Sequence, residues 1–148
     1  MNPLNSLVEY EEYLYALPQQ DPAIVYSTLV VARRGVTIAT VKGELAFTGG
    51  VRLIVSERLM LDEGELRIVS YDYEIRRGTE KLYWYDSQPH PDYPILASTH
   101  PHHKHVSPDI KHHRLPAPGL SFIQANRPFL ITEIHQDVLK TSTTQKEQ

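Results

Sequence analysis

Seven of the eight histidines lie between His90 and His113, and four of them crowd into Thr99-His100-Pro101-His102-His103-Lys104-His105. A second pair, His112-His113, stands between Lys111 and Arg114. Imidazole titrates near neutrality, so it can move a proton, ligate a metal or, when charged, hold a phosphate. A packed core has no use for this density of imidazoles, and the chemistry of the chain is expected here. Pro101 and Pro108 exclude a helix through the run. In an extended chain His100 and His102 project to one side, and His103 and His105 to the other.

Three readings of the segment compete. In the first, His-x-His pairs ligate zinc or another divalent transition metal. Two ligands would come from among His100, His102, His103 and His105, with a third from Asp86, His90 or His112. The second is metal-free phosphodiester chemistry. It needs a base for a 2′-hydroxyl, an acid for the leaving 5′-oxygen and a cation for the phosphorane, and two histidines with Lys104 or Arg114 match those needs. The third is a polar, pH-sensitive interaction loop without turnover.

Composition narrows the setting. The 148 residues suit one domain, with 41% hydrophobic and 22% charged residues and a formal net charge of −3. That balance excludes a wholly basic, nucleic-acid-coating protein. Between residues 99 and 114, however, Lys104, Lys111 and Arg114 face only Asp109, a local basic excess suited to phosphate. With no cysteine there are no disulfides, thiolate nucleophiles or Cys-ligated zinc. The start lacks a basic region followed by an apolar one, and no apolar run approaches the ~20 residues of a membrane span. A cytoplasmic protein without membrane association is expected.

The elements that must position the histidines are legible in part. Leu7, Tyr10, Leu14 and Leu17 make one helical stripe with acidic residues in the first turns, Ser6-x-x-Glu9 offers a capping box with Asn2-Pro3 as a rival start, and Pro18 is expected to end the helix. From Ala23 to about Ser87 the pattern is that of strands, punctuated at Arg34-Gly35, Gly49-Gly50, Glu63-Gly64 and Arg77-Gly78. Residues 23–31 read as a buried central strand. Tyr71, Tyr73 and Ile75 share one face of the fourth strand. Tyr83 and Tyr85 share a face of the fifth, with Leu82 and Trp84 opposite.

Eight of the eleven prolines lie between Pro89 and Pro128, which predicts a long irregular loop. Asn126-Arg127-Pro128 starts a final helix in which Leu130, Ile134 and Val138 repeat. The expectation is an α+β fold over residues 1–140. It consists of a single five-stranded antiparallel meander, a helix at each end and a His/Pro-rich loop, with residues 141–148 a frayed tail.

Tyr71-Asp72-Tyr73, Leu82-Tyr83-Trp84-Tyr85-Asp86-Ser87-Gln88-Pro89-His90 and Pro101-His102-His103-Lys104-His105 follow one another in the chain. This series resembles the TumE family of toxin–antitoxin proteins, which has a Tyr-x-Tyr strand, a Trp-Asp-Asn-Ala-Pro-His-His segment and a Phe-Pro-His-His-Lys-His segment in that order. The resemblance runs from about residue 66 to 105. The chain departs from the pattern at Tyr85, at Ser87-Gln88, at Pro91 and at His100, and residues 112–121 are additional.

The resemblance implies a toxin partnered by a DNA-binding antitoxin and acting on RNA or translation, with His90, His102, His103, Lys104 and His105 as the matched positions and Trp84 and Asp86 as weaker ones. Joined to the phosphodiester reading, it makes His102 or His103 a base or acid, His105 or His90 the complementary group and Lys104 the phosphate clamp. Tyr73, Trp84, Asp86, Lys111 and Arg114 are the candidate substrate-binding residues. No cofactor is expected on this reading, zinc or a similar ion being the alternative, and the oligomeric state is open, a dimer included.

Overall fold

The computed structural model describes residues 3–62, 64–89, 92, 94–106, 109, 110 and 113–139. Helix α1 (Leu7–Gln20) starts at the Ser6 cap, the first of the two starts the sequence offers. Ser6 Oγ accepts from the Glu9 N–H at 3.1 Å, and Leu7, Tyr10, Leu14 and Leu17 are buried. Pro18 does not end it: the helix continues to Gln20, and the Asp21 N–H closes the last turn on the Leu17 carbonyl at 3.1 Å.

Eight strands, not five, form one antiparallel sheet: β1 (Ile24–Ser27), β2 (Val30–Arg33), β3 (Ile38–Phe47), β4 (Val51–Asp62), β5 (Glu65–Arg77), β6 (Glu80–Asp86), β7 (His103–His105) and β8 (Arg114–Pro116). Their order is β1-β3-β4-β5-β6-β7-β8, with β2 also paired to β3. The chain is mostly β, so the expected five-stranded α+β meander is corrected in both strand count and class.

The first correction concerns residues 23–31. β1 and β2 keep one register along β3, with Ser27 opposite Leu45 and Val30 opposite Lys42, but they lie at the rim of the sheet. Val25, Tyr26 and Val30 are exposed. A β-branched run has the same composition at an edge as in a centre, so composition alone cannot place it. Where the two strands are interrupted, the backbone at Thr28 passes close over Gly43 of β3. Gly43 has a φ of +138°, and a Cβ there would lie 2.4 Å from the Thr28 carbonyl oxygen. Gly43→Ala is therefore expected to cost about 1–3 kcal/mol. A thermal melt reads this, and an unchanged midpoint would contradict the close approach.

The second correction concerns the His/Pro segment, which supplies β7 and β8 instead of remaining a loop. Three-residue strands are too short to show a period of two. Pro116 is tolerated because β8 lies at the end of the strand order, where a missing N–H breaks no ladder. β3 and β4 are joined by a turn over Thr48–Gly50 in which Gly49 and Gly50 both have positive φ, one residue longer than the two-residue Gly-Gly hairpin the sequence suggests.

One face of the sheet carries the core. Leu53, Val55, Leu59, Ile68, Tyr73 and Ile75 pack with Tyr10 and Leu14 of α1 and with Leu130 of α2 (Arg127–Glu133). A wider helical turn, Ile134–Leu139, continues α2 and buries Ile134 and Val138.

Within this core lies a charged knot. Glu57 follows Val51, Leu53 and Val55 at inward positions of β4 and is buried with them. Arg127 meets it with Nη2 on Oε1 and Nη1 on Oε2, both at 2.7 Å. The Tyr10 hydroxyl donates to Glu57 Oε1 at 2.6 Å, the Tyr73 hydroxyl donates to Oε2, and the Asn126 amide donates to the Tyr73 oxygen at 3.0 Å. Five residues thereby tie α1, β4, β5 and the start of α2 together.

Candidate functional site

The site is set by the register of β6 on β7. Trp84 stands opposite His105, Tyr85 opposite Lys104 and Asp86 opposite His103. Directly opposed residues of an antiparallel pair share a face, and neighbours along a strand alternate. Trp84, Asp86, His103 and His105 therefore lie on the face away from the core, and Tyr85 and Lys104 lie on the core face.

On the outer face the donor atoms of three side chains converge. His103 Nε2 is 2.8 Å from Asp86 Oδ1, His105 Nε2 is 3.2 Å from Asp86 Oδ2, and the two Nε2 atoms are 3.1 Å apart. Both rings are nearly wholly buried, at 1% and 3% exposure. Their other nitrogens are fixed by backbone: His103 Nδ1 donates to the Pro101 carbonyl at 3.1 Å, and His105 Nδ1 to the Ile110 carbonyl at 3.0 Å. The Trp84 ring stacks on His105 with centroids 4.0 Å apart, and its Nε1–H donates to Asp86 Oδ2 at 3.2 Å. The Gln88 N–H donates to Asp86 Oδ1 at 3.0 Å. Burial opposes ionisation of Asp86, but these polar partners, His103 and His105 foremost, hold its carboxyl below the ordinary range.

The cluster meets solvent through Asp86. Where β6 ends and β5 runs on, a cleft of about 460 Å³ opens, lined among others by Asp86, Asp72, Ser87, Gln88, Tyr71 and Phe122. Asp72 stands opposite Asp86 in the β5–β6 pair, and burial together with the Asp86 charge raises its carboxyl above the ordinary range. The described lining thus carries two carboxyls and no cation.

The other predicted residues separate. Lys104 points into the core face, where Nζ lies 3.3 Å from Glu133 Oε2 and 4.3 Å from the Tyr83 ring centroid. It is thus on the opposite side of the sheet from His103 and His105. His102 shares neither arrangement. Its Nδ1 and the Tyr71 hydroxyl are hydrogen-bonded at 2.5 Å, its ring stacks on Tyr71 and lies 4.6 Å from Phe122, and burial with the nearby charges of His100 and His103 holds it below the usual imidazole range.

Tyr73 is in the core knot, its hydroxyl on Glu57. Arg114 stands opposite His105 in the β7–β8 pair, which puts it on the face of the cluster. His100 is exposed. His90, Lys111 and His112, with the tail 141–148, fall outside the described residues. Tyr71, Ser87 and Gln88 were not singled out as site residues, although the last two directly follow Asp86.

A single antiparallel sheet with a buried core on one face and a His–His–carboxylate cluster on the other defines a small β-rich protein with a built chemical centre. The family model described as toxin TumE matches residues 14–138, most of the chain, and the chain belongs to the TumE toxin family. The match is far wider than the stretch 66–105 in which the motifs are legible. Membership makes the chain a toxin component and implies a cognate antitoxin. No curated protein and no solved structure matches it. Among the described residues no helix is long and apolar enough to cross a membrane.

Proposed function

We propose that this toxin acts on RNA, with the Asp86–His103–His105 cluster at the reacting end of the cleft and Arg114 on the same face to hold phosphate. The convergence of two imidazoles and a carboxylate on one point beside an open cleft is the observation that carries this reading. Cleavage of an RNA strand forms a bond from the 2′-oxygen to phosphorus and breaks the bond from phosphorus to the 5′-oxygen. The 2′-hydroxyl proton passes to an acceptor at the cluster, and a proton is returned to the departing 5′-oxygen. Charge on the phosphorane is met by a positive group already in place, which is where Arg114 serves. Lys104, committed to Glu133 across the sheet, is not the clamp in this arrangement. The partner on this reading is a DNA-binding antitoxin that covers or distorts the cleft.

The experiment is direct. Purified full-length protein is incubated with total cellular RNA, in separate reactions with magnesium, manganese, zinc or a chelator. Fragments bearing 2′,3′-cyclic phosphate ends are expected in at least one reaction. Intact RNA in every reaction would overturn the RNA reading.

A further inference from the structure

The hydrogen positions of the cluster leave a problem that two neutral histidines cannot solve. A backbone carbonyl only accepts, so the Nδ1 atoms of His103 and His105, bonded to the Pro101 and Ile110 carbonyls, both carry hydrogen. In a neutral ring this leaves a bare lone pair on each Nε2. Those lone pairs face each other at 3.1 Å and face the Asp86 oxygens at 2.8 and 3.2 Å. Acceptors pointing at one another repel unless positive charge sits between them. A proton on one ring serves only one of these contacts at a time, and protons on both would aim two N–H groups at each other. One divalent ion serves all of them with a single particle.

The spacing suits such an ion. Bonds of about 2.0–2.1 Å place donors about 2.9 Å apart around an octahedral ion and about 3.4 Å apart around a tetrahedral one. The observed separations of 2.8, 3.1 and 3.2 Å lie close to those edges. The surroundings suit it too, because a ligating histidine typically donates its second nitrogen to a carbonyl or carboxylate, as both rings do here. Trp84 and Gln88 orient the carboxylate in the same way.

We infer that Asp86, His103 and His105 form a binding site for a divalent first-row transition ion such as zinc, with the remaining coordination positions turned toward the cleft. Two side chains of the His-x-His type and Asp86 were among the ligands the sequence offered, but His100 and His102 are not part of the set. Three protein ligands and open positions are the pattern of catalytic, not structural, zinc. The ion would add to the charge of Arg114, which lies on the same face of the sheet but outside the described cleft lining, where two carboxyls and no cation stand. In this respect the inference supplies the cofactor of the proposed RNA chemistry and rests on that reading for its role, though not for its existence.

The test is binding by untagged full-length protein, titrated with zinc against a chromophoric chelator and separately with cobalt(II), whose visible bands report imidazole and carboxylate ligation. One equivalent is expected. His105→Ala and the near-isosteric Asp86→Asn should each weaken zinc by at least about 100-fold, the upper end of what loss of a supporting partner costs, while His100→Ala leaves affinity unchanged. Circular dichroism confirms that each variant is folded. No stoichiometric zinc, or affinity that survives both ligand substitutions, would overturn the site. RNA cleavage by protein shown to be metal-free by elemental analysis would overturn the ion's part in the chemistry while leaving the RNA reading intact. Bound zinc with RNA intact under all conditions would uphold the site and remove the RNA reading.

Discussion

Arg127→Met is expected to lower the free energy of unfolding by about 3–5 kcal/mol, the usual cost of stripping one partner from a buried ion pair. The cause is specific. Arg127 and Glu57 are both fully buried and joined by two contacts of 2.7 Å, so without the guanidinium the Glu57 carboxylate keeps only the Tyr10 and Tyr73 hydroxyls. Urea denaturation followed by far-ultraviolet circular dichroism gives the number. The double variant Glu57→Gln/Arg127→Met removes both charges and is expected to lose clearly less than Arg127→Met alone. A single variant within about 1 kcal/mol of the parent, or a double variant worse than the single, would contradict the assignment. Because the knot touches α1, β4, β5 and α2, the loss is expected as one cooperative transition at lower urea.

The second large effect is on activity. His105→Ala is expected to reduce RNA cleavage by about 10²–10⁴-fold, because it removes one of the three side chains that build the centre, a loss at least as large as that of a supporting partner. It also strips a ring that stacks on Trp84 and meets Asp86. Lys104→Met is the informative control, since Lys104 stands next to His105 in the chain but on the other face. It should cleave within about threefold of the parent, a margin well below that of a lost catalytic group. The cost of Lys104→Met should appear in stability, through Glu133. Initial rates on a fluorogenic RNA oligonucleotide distinguish the two. If Lys104→Met were as inactive as His105→Ala, the division of the motif between two faces would be wrong. Growth after induced expression without antitoxin should follow the same order, with His105→Ala relieving arrest and Lys104→Met not.

How much of this was legible depended on the length of the signal. The α1 stripe, the inward Tyr71, Tyr73 and Ile75, and the burial of Leu130, Ile134 and Val138 repeat over several turns or strand residues, and each appears in the structure. A strand of three residues has no such repeat, so β7 and β8 hid behind the prolines. The location of the chemistry in the histidine segment could be proposed from residue types. Which imidazoles meet could not, because that depends on β6 pairing with β7 between residues 17 positions apart in the chain, as Asp86 and His103 are.

The buried knot joins Glu57 to Arg127 over a separation of 70 residues. One clue to it was present: a glutamate in the inward series Val51, Leu53, Val55, Glu57, Leu59 requires a buried partner. No local pattern named Arg127 as that partner.

Strand β7 turns the His-Lys-His motif into a parity code. Odd positions serve the chemistry and the even position serves the core, so the motif's meaning depends on its count from Pro101 as well as on its letters. Inserting or deleting one residue before His103 would send the ammonium among the donor atoms and an imidazole beneath Glu133. Conservative-looking changes of length in this segment are thus more damaging than changes of residue type, and family members that retain the chemistry should vary here by substitution, or by two residues at a time.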